Sequence, residues 1–181
     1  MRNKYLKRII LSLLLLITSP LRADDMAQHQ VKALFLYNFA NFVEWPDSAF
    51  KKATSPIRLC LYGNIPFGSF LDAVNGTLIG KRVLSIVRAN TKADIESGCH
   101  ILYVGLDRKI ELPTFFKEIQ YMYVLSVGER GDFVDKGGII NIVRTTDQVK
   151  FDINISNALQ NGLWVSSDLL SLAREIKRLS R

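Results

Sequence analysis

Two histidines, His29 and His100, two cysteines, Cys60 and Cys99, and a scatter of carboxylates are the side chains around which this 181-residue chain could build chemistry. Nucleophilic catalysis needs a base beside the nucleophile, most often histidine. His29 lies near the start of the first helical stretch. His100 opens the apolar run Ile101-Leu102-Tyr103-Val104 and reads as a satisfied strand-end residue rather than a base. No Gly-x-Ser-x-Gly elbow is present. Asp132 and Asp135 have the look of paired acid–base carboxylates, but without a partner base they read as cap and surface charges. No catalytic residue is assigned, and the chain reads as a non-enzyme. Two distant histidines leave no clustered ligands, so neither a metal nor a cofactor is expected.

Phosphate cradles are also missing. Gly63-Asn64-Ile65-Pro66-Phe67-Gly68 follows a strand and precedes a helix, where open α/β sheets bind ligands. It lacks the three-glycine fingerprint and the Walker lysine, and reads as a tight βα turn. A small-ligand sensor using the crevice after Tyr62 is the alternative, with only Asn64 and Ser69 as local polar groups. Trp45, Phe133 and Trp164 fall in turns or at segment ends, where large aromatics mark contact surfaces or lids on a core.

The charge argues about address rather than ligand. Of the 24 basic residues, Arg2, Lys4, Lys7, Arg8 and Arg22 precede any acid, and the formal charge is +7. Basic residues up to Arg8, the apolar stretch Ile9 to Ile17, a break at Thr18-Ser19-Pro20 and a small residue at Ala23 follow the order of a secretory signal. The apolar stretch is far short of the ~20 residues that span a bilayer. The expected organisation is a signal peptide over 1–23, cleaved on export, and one domain over 24–181, with the periplasm as its compartment. That domain carries 19 basic against 17 acidic side chains, too balanced for nucleic acid. Export also bears on the cysteines. An oxidising compartment favours a Cys60–Cys99 bond, two buried free thiols being the alternative.

The elements that position these residues follow from periodicity. A helix from Asp24 or Asp25 to about Val43 carries Val31, Leu34, Phe35, Phe39, Phe42 and Val43 at helical spacing. Strands are expected at Ile57 to Tyr62, Val83 to Arg88, Ile101 to Val104 and Tyr121 to Val127. Helical segments are expected at Phe67 to Val74, Thr91 to Ser97 and Pro113 to Ile119. Apolar strands alternating with helices imply a parallel sheet covered on both faces. Ile139 to Arg144 and Val149 to Ile155 flank a short polar loop and predict an antiparallel hairpin. A small helix over Ser156 to Asn161 follows. A last helix is expected from Ser166 or Ser167 to the terminal Lys177, Arg178 and Arg181. The expected fold is therefore one α/β domain, with a mixed, mostly parallel sheet of about six strands.

Lys32-Ala33-Leu34-Phe35-Leu36-Tyr37-Asn38-Phe39-Ala40-Asn41-Phe42-Val43-Glu44-Trp45-Pro46 resembles the opening signature of the YfiR family of periplasmic proteins. Four further stretches match in order: Pro56 to Cys60 with Gly63 and Pro66-Phe67-Gly68; Gly98 to Tyr103; Gly137 to Ile140; and Phe151-Asp152-Ile153-Asn154 leading to Gly162-Leu163-Trp164-Val165-Ser166-Ser167. The resemblance implies a repressor that binds the periplasmic sensor domain of an inner-membrane diguanylate cyclase, lowering cyclic di-GMP and biofilm formation. It further implies an outer-membrane lipoprotein that sequesters the repressor, and a disulfide-bonded domain, in keeping with Cys60 and Cys99, that can form a homodimer. Within such a domain, Trp164, Leu163 and the exposed side of Asn154 are the expected partner contacts, because a chain leaving a small helix at Gly162 usually reaches the surface.

Overall fold

The computed structural model describes residues 21–145 and 148–178. Residues 1–20 of the expected signal peptide lie outside them, as do Thr146 and Asp147 of the hairpin loop and the terminal Arg181. The chain begins with the long helix α1 (Leu21–Phe42) and passes directly into β1 (Val43–Glu44). Ala33, Leu36, Phe39 and Ala40 form its buried stripe. Phe35 and Phe39 meet Phe151 edge-on, with ring centroids 5.4 and 5.3 Å apart. Among the described residues no helix is long and apolar enough to cross a membrane.

Next come β2 (Ile57–Tyr62), a short helix α2 (Gly68–Leu71), β3 (Leu78–Ile79), β4 (Arg82–Ala89), α3 (Lys92–Glu96), β5 (Ile101–Val104), α4 (Leu112–Glu118) and β6 (Leu125–Gly128). The hairpin is β7 (Ile140–Arg144) and β8 (Val149–Asn154). After it come α5 (Ile155–Gln160), β9 (Trp164–Val165), α6 (Ser167–Leu172) and β10 (Glu175–Lys177). One sheet runs β10-β8-β7-β6-β5-β2-β4-β3, and β1 pairs with β9 in a separate ribbon. Strands β4, β2, β5, β6 and β7 are mutually parallel, β7–β8 is antiparallel as expected, and β3 closes one edge antiparallel to β4.

Alternation along the central strands divides the core. Leu59, Leu61, Ile101 and Tyr103 face the α1 side, whereas Cys60, Leu102 and Val104 face Phe115, Phe116 and Phe133. Both faces are covered, as parallel strands require. The disulfide Cys60–Cys99 lies on the second face, with its Cα atoms 5.8 Å apart, and ties β2 to the segment entering β5. Helix α3 starts on a capping box in which Thr91 and Asp94 satisfy each other's backbone N–H groups.

Three expectations need correction. The main sheet has eight strands rather than about six, because the two-residue β3 and three-residue β10 are too short to show a period. The segment before β6 does not start at Tyr121: Tyr121 and Tyr123 have φ of 65° and 58°, which no strand tolerates, and pairing begins at Leu125. The last helix stops at Leu172 instead of running to the terminus. Beyond it, Arg174 donates its backbone N–H to the Phe151 carbonyl at 2.8 Å and its guanidinium to both oxygens of the buried Asp152, at 2.8 and 2.5 Å. The chain then pairs with β8, satisfying edge groups that would otherwise stay open.

Candidate functional site

Of the expected partner contacts, Trp164 lies on the β1–β9 ribbon. Helix α1 delivers β1, whose Val43 and Glu44 face Val165 and Trp164 of β9, and the Ser166 N–H donates to the Phe42 carbonyl at 2.9 Å. Upstream, α5 ends in a turn where Gly162 adopts φ of 70° and the Leu163 N–H returns to the Ala158 carbonyl at 3.0 Å. A Cβ at Gly162 would lie 2.8 Å from the Tyr123 ring, so this position needs glycine for both conformation and space. The turn and ribbon present Trp164 to solvent, 58% exposed on a backbone held by hydrogen bonds on both sides.

The other two expected contact residues do not join it. Leu163 is fully buried in the core. Asn154 has no exposed side: its Oδ1 caps α5 by accepting the Asn157 N–H at 3.0 Å, and its Nδ2 donates to the Val134 carbonyl at 3.0 Å. Alternation placed Asn154 on the outer face of β8, but the strand ends there and the side chain turns to the helix it starts. Leu163 anchors the turn behind Trp164 in the core, whereas Asn154 secures the opposite end of α5. Phe151 is core, in agreement with its place on the apolar face of its strand.

A neighbour that sequence reasoning missed is the Tyr121-Met122-Tyr123 segment. Its Tyr123 packs at Gly162, and the Tyr123 carbonyl accepts the Trp45 indole N–H at 2.9 Å. Tyr121 and Met122 are exposed one or two residues away, and Leu159, in the last turn of α5, is exposed as well. Two aromatic residues held at positive φ form a conformation that costs free energy unless its surroundings fix it. No spacing in the sequence signals this. Beside β1 opens a cavity of about 380 Å³, lined among others by Glu44, Trp45, Phe50 and Arg82. The Arg82 guanidinium stacks 3.5 Å over Phe50 and donates to the Ala53 and Ser55 carbonyls at 2.9 Å.

The groups first considered for catalysis are tied down elsewhere. His100 accepts the Arg58 N–H on Nδ1 at 3.1 Å, which leaves Nε2 to donate to the Ala49 carbonyl at 3.2 Å. Its ring stacks on Phe50, and burial pushes its pKa down to about 4, so the ring is neutral at pH 7 with both nitrogens occupied. Asp132 is held by Lys136 and Arg130, whose hydrogen bonds and charge lower its pKa, and Asp135 pairs with Lys177. Phe133 between them is core, wedged against Gly128 and Gly138.

A family model described as YfiR/HmsC-like matches residues 29–174, which spans every structural element after the first turns of α1 except the last strand. The chain belongs to the YfiR/HmsC-like family. YfiR-like proteins are periplasmic regulators and not a family of enzymes. Among solved structures, the chain is similar to a conserved domain protein from Vibrio cholerae, at 13% identity and a TM-score of 0.48 over 66% of this chain and 54% of that one. It is also similar to an ABC domain solved in complex with L-Trp from Streptococcus pneumoniae, at 12% identity and a TM-score of 0.49 over 67% and 55%. The chain spans about half the length of these two structures. In the YfiR/HmsC-like chain, the matched region contains Cys60, Cys99, Trp164 and the whole β1–β9 ribbon.

Proposed function

We propose that this YfiR/HmsC-like protein is an exported periplasmic repressor that binds the periplasmic sensor domain of an inner-membrane diguanylate cyclase, lowering cyclic di-GMP and biofilm formation. The observation that carries the contact surface is the exposure of Trp164 on the β1–β9 ribbon. A large aromatic on a fixed backbone loses little conformational freedom on docking, which suits it as an anchor. Repression then works by population shift: the repressor binds one state of the sensor domain better than the other and holds the cyclase in it. An outer-membrane lipoprotein competing for the same surface would relieve repression, and a homodimer built on it would do so too.

The test is to measure binding of the purified protein to the cyclase's sensor domain, and cellular cyclic di-GMP, for wild type and Trp164→Ala. Loss of binding together with raised cyclic di-GMP supports the reading. Unchanged affinity and unchanged repression in a folded variant would move the contact off the ribbon, first of all to α1.

A further inference from the structure

The order of the main sheet reverses at β2, which has β4 on one side and β5 on the other. In open parallel sheets the crevice beyond the carboxyl ends of the strands at such a reversal is where small ligands bind. In this protein that crevice is not empty of chemistry. The loops leaving β2, β5 and β6 meet the N-terminal half of α1 around a cavity of about 190 Å³, lined by His29, Lys32, Asn64, Phe67, Tyr103, Asp107 and Glu129, among others.

The two walls differ in sign. His29 and Lys32, three residues apart on α1, share one helix face and supply donors. Asp107 and Glu129, on the strand-end loops, supply carboxylates. Lys32 Nζ lies 2.6 Å from Glu129 Oε2, and both side chains are nearly withdrawn from solvent. The Tyr103 hydroxyl donates to Glu129 Oε1 at 2.5 Å, and Asp107 Oδ1 accepts the Asn64 N–H at 2.8 Å. Phe67 and Tyr103, edge-on at 5.0 Å, form the apolar part of the lining, with Lys32 6.0 Å from the Phe67 ring centroid. A lone ion pair withdrawn from water contributes little net stability, because desolvation offsets its attraction. Each carboxylate oxygen has two lone pairs and the ammonium three donors, so Lys32 and Glu129 retain capacity beyond one another.

We propose that this crevice is a binding site for a compact zwitterion, an α-amino acid with a small side chain. Its carboxylate lies against Lys32 and His29, its ammonium against Asp107 and Glu129, and its side chain against Phe67 and Tyr103. A cavity with one sign of charge would select a simple ion. Lys32 and Glu129, in contact at 2.6 Å and flanked in the same lining by His29 and Asp107, instead present both signs side by side and select a ligand carrying both signs a few ångströms apart. The size agrees: at ~30 Å³ per water the cavity holds roughly six waters, the volume of a molecule of about six to ten non-hydrogen atoms. The site is separate from Trp164 and stands whether or not the repressor reading does.

The experiment is isothermal titration and thermal melting of the full exported protein with the α-amino acids from glycine to glutamine, alongside propionate and propylamine as single-charge controls. The expected result is saturable binding and a raised melting temperature with at least one amino acid, and with neither control. Lys32→Met and Asp107→Asn should each weaken that binding at least tenfold. Asp107 is exposed, so its variant keeps the measurement valid if Lys32→Met fails to fold. Binding of a control as tight as any amino acid, no saturable binding by any of them, or undiminished binding by Asp107→Asn would overturn the proposal.

Discussion

Leu163 and Trp164 are adjacent in the chain yet have opposite fates: Leu163 is 0% exposed and Trp164 58%. The Gly162 turn drives one side chain into the core as the other emerges on the ribbon. Truncating them should therefore fail in different assays. Leu163→Ala removes a buried side chain and should cost about 2–5 kcal/mol of stability. Trp164→Ala should leave the denaturation midpoint nearly unchanged and weaken sensor-domain binding by about 2 kcal/mol, roughly thirtyfold. Chemical denaturation and binding isotherms on the two variants check the contrast.

The disulfide closes a loop with a sequence separation of 39 residues. On the chain-entropy account this stabilises the fold by about 4 kcal/mol relative to the reduced chain. Replacing Cys60 and Cys99 together by Ser should lower stability by about that much while preserving far-ultraviolet circular dichroism. The intact mass of the exported wild type should be two hydrogens below the dithiol, with a start near Asp24.

His100 predicts how stability depends on pH. Its folded pKa is about 4, against an ordinary 6.5, because burial disfavours the imidazolium. The unfolded chain therefore binds the proton first as pH falls. Stability from this group is complete above about pH 6.5 and is lost as pH drops towards 4, by at most about 3 kcal/mol. Urea melts across that window should show the loss, and His100→Gln should flatten it.

Arg174 holds the last strand in place through Asp152, a buried carboxylate. Arg174→Ala should cost about 2 kcal/mol, the scale of hydrogen bonds to a charged group. It should also speed amide exchange across β10 more than across β7. Equal protection of β10 in both proteins would show that strand pairing alone suffices there.

Much of this was legible in local pattern. The runs Ile57–Tyr62 and Ile101–Val104 form strands over the residues their composition suggested, and Thr91 with Asp94 opens α3 as a cap should. The clean alternation of Val149 to Asn154 fixed the hairpin, and Phe151 went to the core with it. Asn154 shows where such reading stops. Its polarity and its place in the alternation pointed outward, but the strand ends at that residue and its amide is consumed by the next helix and by Val134.

Side-chain period and turn chemistry act over a few residues, so the sequence by itself determined the α/β class, most element positions, the hairpin and the family signature. What depends on pairing between distant segments was decided only in three dimensions. The terminal segment became a strand because β8 had an open edge and Asp152 needed a cation. Tyr123 took a left-handed backbone where its ring packs at Gly162 and its carbonyl accepts the Trp45 indole N–H. Lys32 and Glu129, 97 residues apart, share a crevice because the strand order places the ends of β2, β5 and β6 beneath α1. Sheet order is a global choice among competing pairings, and no local stretch of sequence carries it.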